Sequence, residues 1–374
     1  MHHRPVALFC ISSLGLGHAT RTLPVIRRYE ATHDLHILST GNALAYLRRE
    51  LGETAGATFH DYPDYPPLER GTGWRFGWYL VIDSLSTLAV IRREHAFIKK
   101  LAAEIRPAFI FSDGRYGAHV RGVPSFMLSH QIAFIMPRGW KMFGNVADWF
   151  NRRSFAKFDA LFIPDYPDEE RNLSGSLSHH PALAGLIHHY VGILSSLERG
   201  AGKDAEKARD IDYLFTISGY LNEHRPSFID ALVKQARTLP GVKAFVLGRP
   251  AEGESPKDLG DGITIYPSAS GALRQSLFSR ARRIVSRSGY TTVMDLVELG
   301  VPGLLIPTPG QTEQEYLAER YARNGYFTIM PDKDFDLKAL AKNVSAKSLF
   351  KAPWKTSESI RKISNIIDRH AVAF

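Results

Sequence analysis

Val285-Ser286-Arg287-Ser288-Gly289-Tyr290-Thr291-Thr292-Val293-Met294-Asp295-Leu296 is the stretch on which the fold turns. It predicts a short apolar strand over Arg283 to Ser286, a turn of small residues, and an apolar-periodic helix over Thr291 to Leu299. Strand, tight turn and helix N-terminus in that order aim backbone N–H groups and a helix dipole at one point, which suits an anionic group. A second strand is predicted over Val301 to Ile306, running into Pro307-Thr308-Pro309-Gly310 and the polar loop Gln311-Thr312-Glu313-Gln314. Two successive strand-to-helix turns on one parallel sheet bring both polar sets to the same edge, where ligands of such folds bind.

Composition sets the outer limits. At 374 residues the chain exceeds the length at which one core usually keeps growing, so two domains are expected. Hydrophobic content of 44% and charged content of 23% are those of a folded globular protein. The single cysteine, Cys10, lies in an apolar strand and reads as a core residue; alone, it excludes an intrachain disulfide. No apolar run approaches the roughly 20 residues of a membrane span, and the N-terminus lacks a signal-peptide pattern, so a cytoplasmic location is expected. A net charge of +9 admits nucleic acid, an anionic membrane or phosphorylated small molecules as partners. No zinc-ligand spacing, RNA-binding sheet motif or long Lys/Arg tract supports nucleic acid.

The N-terminal half opens with a strand over Val6 to Ile11, the turn Ser12-Ser13-Leu14-Gly15-Leu16-Gly17-His18, and a helix over about Ala19 to Thr32. A strand over Leu35 to Ser39 completes a right-handed βαβ unit. The third glycine of a dinucleotide fingerprint is absent, and no acidic residue ends the second strand, which disfavours an NAD enzyme. His18 is a candidate general base because its ordinary pKa of about 6.5 sits near working pH. It could equally cap the helix that follows.

A second polar set ends the next strands. Phe109 to Ser112 runs into Asp113-Gly114, and Ser125 to Leu128 into Ser129-His130. Asp113 and His130 are therefore expected at the strand edge that carries His18, as an acid–base and acceptor-orienting set. Asp-Gly also satisfies the chemistry of a plain turn. Between Pro137 and Phe158, Arg138, Lys141, Arg152, Arg153 and Lys157 alternate with Trp140, Met142, Phe143, Trp149, Phe150 and Phe155. That mixture suits either an interface with anionic headgroups or a helix with a solvated basic face. His179, His180, His188 and His189 fall in adjacent doublets, a poor spacing for one metal, and no metal or cofactor is expected.

The second half restarts the alternation with strands over Tyr213 to Ser218, Val242 to Leu247 and Ile263 to Tyr266, and helices over Ser227 to Thr238 and Ser270 to Ala281. Ser218-Gly219 is a glycine turn that would let backbone amides approach an anionic group, and Arg249 after the next strand is either a cation for such a group or a surface arginine. The predicted fold is α/β, with two Rossmann-like doubly wound domains facing an interdomain cleft. Its predicted divisions are an N-terminal domain over 1–165, a connection over 166–210, a C-terminal domain over 211–350, and a helix over 351–374 that packs back on the first domain.

The quoted stretch also carries a family resemblance. Arg287, Ser288-Gly289, Thr291-Thr292, Asp295, Gly300-Val301-Pro302, and Gln311 with Gln314 resemble the C-terminal signature of two-domain (GT-B) nucleotide-sugar glycosyltransferases. Within them the resemblance is to the branch of the peptidoglycan lipid-intermediate N-acetylglucosaminyltransferase, family 28 in its C-terminal domain. Two departures stand out: Asp295 replaces the usual Glu, and Tyr220-Leu221-Asn222-Glu223 replaces a loop richer in glycine. The resemblance implies a nucleotide-sugar donor, UDP-linked by default, and a metal-independent transfer to a hydroxyl acceptor, lipid-linked or a cell-envelope glycan precursor, with peripheral membrane contact. It implies Asp295 on the ribose, Gly17, Ser288, Gly289, Tyr290 and Thr291 around the phosphates, and Arg287 or Arg249 on their charge. Gln311 and Gln314 would bond the sugar, and His18 would be the base, assisted by Asp113 or His130. The alternatives are a nucleotide-sugar hydrolase of the nonulosonate-pathway type, a non-catalytic nucleotide-sugar binding protein, and an epimerase on the same scaffold.

Overall fold

The computed structural model describes residues 4–52, 56–66, 74–133, 135, 144–199, 209–217, 225–249, 252–333, 335–343 and 349–372. Contacts divide the chain into two units, Met1–Leu194 with Thr356–Phe374, and Ser195–Lys355. Each unit is built on its own seven-stranded sheet.

In unit 1 the strands are β1 (Val6–Ile11), β2 (Asp34–Ser39), β3 (Thr58–Asp61), β4 (Phe109–Asp113), β5 (Ser125–Leu128), β6 (Ala160–Ile163) and β7 (His188–Tyr190). Their order is β3-β2-β1-β4-β5-β6-β7, and every pairing is parallel. Helices α1 (Gly17–Tyr29), α2 (Gly41–Leu51), α3 (Trp74–Ile105) and α4 (Gly144–Phe155) fall between strands along the chain. Central strands of such a sheet are covered on both faces, which is why β1 is apolar without alternation and buries Ala7 through Ile11, Cys10 included. Chain order runs outward from β1 to β3, then returns to β4 on the other side of β1. The carboxyl ends of β1 and β4 thus form a topological switch point.

Unit 2 repeats the plan with β8 (Tyr213–Thr216), β9 (Lys243–Val246), β10 (Lys257–Asp258), β11 (Ile263–Tyr266), β12 (Ile284–Arg287), β13 (Gly303–Ile306) and β14 (Thr328–Ile329). The order is β10-β11-β9-β8-β12-β13-β14, with only β10 antiparallel. Its helices are α5 (Arg225–Ala236), α6 (Gly271–Arg280), α7 (Tyr290–Leu299), α8 (Thr312–Asn324) and α9 (Leu337–Asn343). Here the switch point lies between β8 and β12, at the turn into α7. The last helix, α10 (Thr356–Val372), belongs to unit 1: Ile363 and Ile367 are fully buried in its core, and Tyr29 donates from its hydroxyl to Asp368 over 3.2 Å.

Two predicted boundaries are corrected. Residues 166–194, read as part of a connection over 166–210, are part of unit 1. His188–Tyr190 extends its sheet by pairing with β6, and Val191 and Leu194 enter its core. The Ser, Gly and His content that suggested a linker instead serves a tight buried loop, in which the Asp165 carboxylate accepts from the amides of Tyr166, Leu173 and Ser174, each at 2.8 Å. Helix α1 starts at Gly17 and not near Ala19, which places His18 inside its first turn.

Candidate functional site

The switch point of unit 1 carries a buried polar cluster. The register of β1 on β4 sets Ile11 opposite Asp113, and that of β4 on β5 sets Asp113 opposite Leu128. Asp113 therefore ends the middle strand of three, with the amide of Ser12 donating to its carbonyl over 2.9 Å. Its side chain is wholly buried and receives donors from the first turns of α1. Arg21 Nε and Thr22 Oγ1 each donate to Oδ2 at 2.7 Å, Arg21 Nη2 donates to Oδ1, and His18 Nδ1 lies 2.8 Å from Oδ1. Residues 18, 21 and 22 share one helix face by their spacing, so one turn of α1 delivers all three groups.

Hydrogen-bond complementarity assigns the histidine tautomers. Two groups compete at His18 Nδ1, the Asp113 Oδ1 acceptor at 2.8 Å and the Arg21 Nη2 donor at 3.0 Å. Since Arg21 Nη2 already donates to Asp113 Oδ1, the shorter contact assigns the proton to Nδ1 and the lone pair to Nε2. Arg21 Nη1 lies 3.1 Å from His130 Nδ1; a guanidinium only donates, so in the neutral ring Nδ1 accepts and Nε2 carries the proton. Burial alone would raise the Asp113 pKa, but the charges and hydrogen bonds of Arg21 and His18 outweigh it and hold the carboxyl well below its usual range. The His18 side chain keeps 23% of its surface exposed beside the fully buried Asp113, so the imidazole is the reachable member of the pair. His18, Asp113 and His130 are thus brought together as the sequence predicts. Arg21, which joins them, was not singled out; its only sequence signal is a position three residues after His18.

A neighbouring ion network fixes the loop that leads to His18. Asp64 accepts from Ser12 Oγ at 3.0 Å and from the amide of Ser13, and Arg115 lies 3.8 Å away. Arg115 is fully buried and spends its donors on Glu94 at 2.9 Å and on the carbonyls of Ile11, Tyr62 and Pro63. Gly114, at φ +77°, lets the imidazole approach: a Cβ there would stand 2.9 Å from His18 Cε1.

The switch point of unit 2 arranges the predicted donor residues less openly. Gly289 is the N-cap of α7, and among the described residues a Cβ added there would meet nothing within 4 Å. Ser288 is buried and donates from Oγ to the Gln314 carbonyl at 3.0 Å. Tyr290 is a core side chain at 2% exposure, so only its backbone could serve a phosphate. Gln314 accepts from the Thr308 amide at 3.1 Å and donates to Gln311, which puts the two glutamines side by side at the mouth of α8. Arg287 donates to Asp332 and to the Pro307 carbonyl, and its guanidinium lies 3.7 Å from the centre of the Phe228 ring, so its charge is already matched. Arg249 pairs with Glu252 at 3.3 Å. Ser218 and Gly219 lie outside the described residues, as do Tyr220 to Glu223 and, in the basic-aromatic segment, Arg138 to Phe143.

Asp295 differs most from its expected setting. It is buried at 3% exposure, accepts from Ser195 Oγ at 2.5 Å, and forms an ion pair with Arg274 at 2.6 Å. Burial raises its pKa, with Arg274 and Ser195 acting against that rise. Neither partner carries a sequence signal, because both come from elements remote from α7.

The comparisons with known proteins bear on the fold and the C-terminal domain. Residues 273–369, from α6 to α10, match the glycosyltransferase family 28 C-terminal domain. The fold is that of two-domain glycosyltransferases of the GT-B type, and the matched domain is a glycosyltransferase domain. Among relatives, the chain is 25% identical over 337 residues to an uncharacterized glycosyltransferase of Methanosarcina acetivorans, with 83% of this chain and 82% of the other covered. It is 32% identical over 88 residues to the UDP-N-acetylglucosamine--N-acetylmuramyl-(pentapeptide) pyrophosphoryl-undecaprenol N-acetylglucosamine transferase of Caldanaerobacter subterraneus, covering 23% of this chain and 24% of that one. The calicheamicin glycosyltransferase CalG4 shares its fold with a TM-score of 0.57 at 17% identity, over 99% of this chain and 96% of the other.

Proposed function

We propose that this glycosyltransferase takes its sugar from a nucleotide-sugar donor, UDP-linked by resemblance, and passes it to a hydroxyl acceptor deprotonated by His18. One observation carries the reading: the His18 Nδ1 lies 2.8 Å from the buried Asp113 carboxylate, at the switch point of a parallel sheet. Asp113 holds the tautomer whose Nε2 can accept a proton, the arrangement required of a general base. The acceptor O–H gives its proton to Nε2. Its oxygen then bonds the anomeric carbon as the bond from that carbon to the diphosphate oxygen breaks.

The donor is assigned to unit 2. The α7 N-terminus at Gly289, with its backbone amides and helix dipole, suits a leaving diphosphate, and no metal enters this reading. Arg249 is the cation we assign to it, since its pair with Glu252 is solvent-exposed and readily exchanged, whereas Arg287 is held by Asp332 and the Phe228 ring in a mostly buried setting. Gln311 and Gln314 would exchange their mutual contact for sugar hydroxyls. A lipid-linked acceptor and contact with an anionic membrane are part of the proposal. Their support is α4, where Val146 and Trp149 are each 62% exposed and the Arg153 guanidinium lies 5.9 Å from the Trp149 ring centre.

A thermal-shift panel of nucleotides and nucleotide sugars tests the donor. A ligand bound only by the folded state at about 100 times its Kd stabilises it by about 2.7 kcal/mol. A diphosphate-specific rise, weakened in Arg249→Ala, is expected, with sugar transfer abolished in His18→Ala. No rise with any nucleotide overturns the proposal, and nucleoside diphosphate release without acceptor would identify a hydrolase instead.

A further inference from the structure

Arg21 is the buried group that touches every member of the unit 1 cluster. It binds both carboxylate oxygens of Asp113, and its Nη2 and Nη1 lie 3.0 Å and 3.1 Å from the Nδ1 atoms of His18 and His130. We propose that Arg21 is a positioning residue that keeps His18 neutral, and so able to act as the base, by matching the Asp113 charge itself. The role in catalysis rests on the transferase reading above; the effect on His18 does not.

The argument is one of charge balance in a buried site. A carboxylate with no exposed surface needs a cation or a proton. With Arg21 present at 3% exposure, one guanidinium meets one carboxylate and the imidazole is not called on to supply charge. With Arg21 removed, Thr22 offers only a neutral hydroxyl, and protonating His18 becomes the available compensation. Among the described residues, the other charges around His18 do not replace the guanidinium. Behind the Ser12-Ser13 turn, Asp64 and Arg115 offset one another, and Arg115 is also committed to Glu94. From beyond β5, His130 reaches the cluster through Arg21. Arg21 thereby does the reverse of what an isolated Asp–His pair does, since a carboxylate alone favours the imidazolium.

The test is an NMR titration of histidine side-chain nitrogens in the full-length protein, with His18→Gln and His130→Gln used to assign the signals. In Arg21→Gln the His18 midpoint should rise by about one pH unit or more over wild type, the usual scale for an opposite charge at this distance. The acid limb of kcat/KM should rise with it, giving about a tenfold loss near neutral pH that recovers at alkaline pH, with KM for the donor unchanged. Arg21→Lys keeps the charge but cannot span three partners. It should leave the His18 midpoint in place while freeing His130 from its Nε2–H tautomer. A His18 midpoint that does not move in Arg21→Gln overturns the proposal. Should that variant fail to fold, a His18 midpoint that rises by about one pH unit in Arg21→Lys, although the charge is retained, overturns it equally. Absence of transfer with any donor would overturn the functional reading while leaving the titration result standing.

Discussion

His18 and Asp113 are 95 positions apart in sequence, yet their side chains meet at 2.8 Å because α1 begins at the end of β1 and β4 pairs beside that strand. The contact is a product of topology. A parallel sheet whose chain order reverses between β1 and β4 leaves a crevice at their carboxyl ends, and the first turn of α1 faces it.

Replacing Asp113 with Asn keeps the shape of the side chain and removes the charge that Arg21 requires. Breaking one side of a buried pair costs about 3–5 kcal/mol, to be read from urea unfolding at neutral pH. The Asp113 pKa is depressed in the fold, so its stabilising contribution is fully present above the unfolded value of about 3.9 and declines as pH falls toward the folded value. The stability gap between wild type and Asp113→Asn should therefore narrow below about pH 4.

Gly114→Ala should act on His18 without touching its chemistry. The added Cβ would stand 2.9 Å from His18 Cε1 and 3.1 Å from Ser12 Cβ, in a backbone conformation of φ +77° that alanine disfavours. A displacement on the order of 1 Å at a reacting group can cost about 100-fold in turnover. Sugar-transfer kinetics should show a loss of that order in kcat, and a melting curve a loss of about 1 kcal/mol or more. Wild-type kcat in this variant would show that the close approach is not needed.

His119 provides a pH signature outside the cluster. Burial, with smaller contributions from His95 and Lys157, lowers its pKa to about 4. The unfolded chain therefore binds a proton that the folded chain refuses between about pH 6.5 and that value, so this group costs stability as pH falls through the window. His119→Phe should flatten the acid side of the stability curve there. Parallel curves for wild type and variant would contradict the assignment.

Arg274 should matter to unit 2 as Arg21 matters to unit 1. Arg274→Met leaves the buried Asp295 carboxylate with Ser195 alone, a loss of about 3 kcal/mol in the melting of unit 2. The double variant Arg274→Met/Asp295→Leu, which removes both charges, should recover most of it. A thermal-shift comparison with nucleotides would show whether the pair also supports donor binding.

Much of the architecture is local and so legible in one dimension. The continuous apolar runs at Val6–Ile11 and Phe109–Asp113, each closed by small or polar residues, declare buried parallel strands, because strands covered on both faces have no solvent side to mark. His18, Asp113 and His130 were readable for the same reason: each follows a strand end. The resemblance around Asp295 likewise pointed to a C-terminal domain of family 28 kind. What the chain could not declare is how polar groups pair across distance. Nothing in the Ser- and His-rich run after β6 announces that Asp165 folds it into unit 1. Nor does any spacing foretell that Asp332 takes Arg287, or that Arg274 and Ser195 take Asp295. Periodicity and turn chemistry act over a few residues and are written in sequence. The partner of a buried charge is chosen by which side chains the sheet order brings within about 3 Å of it, and only the tertiary structure decides that.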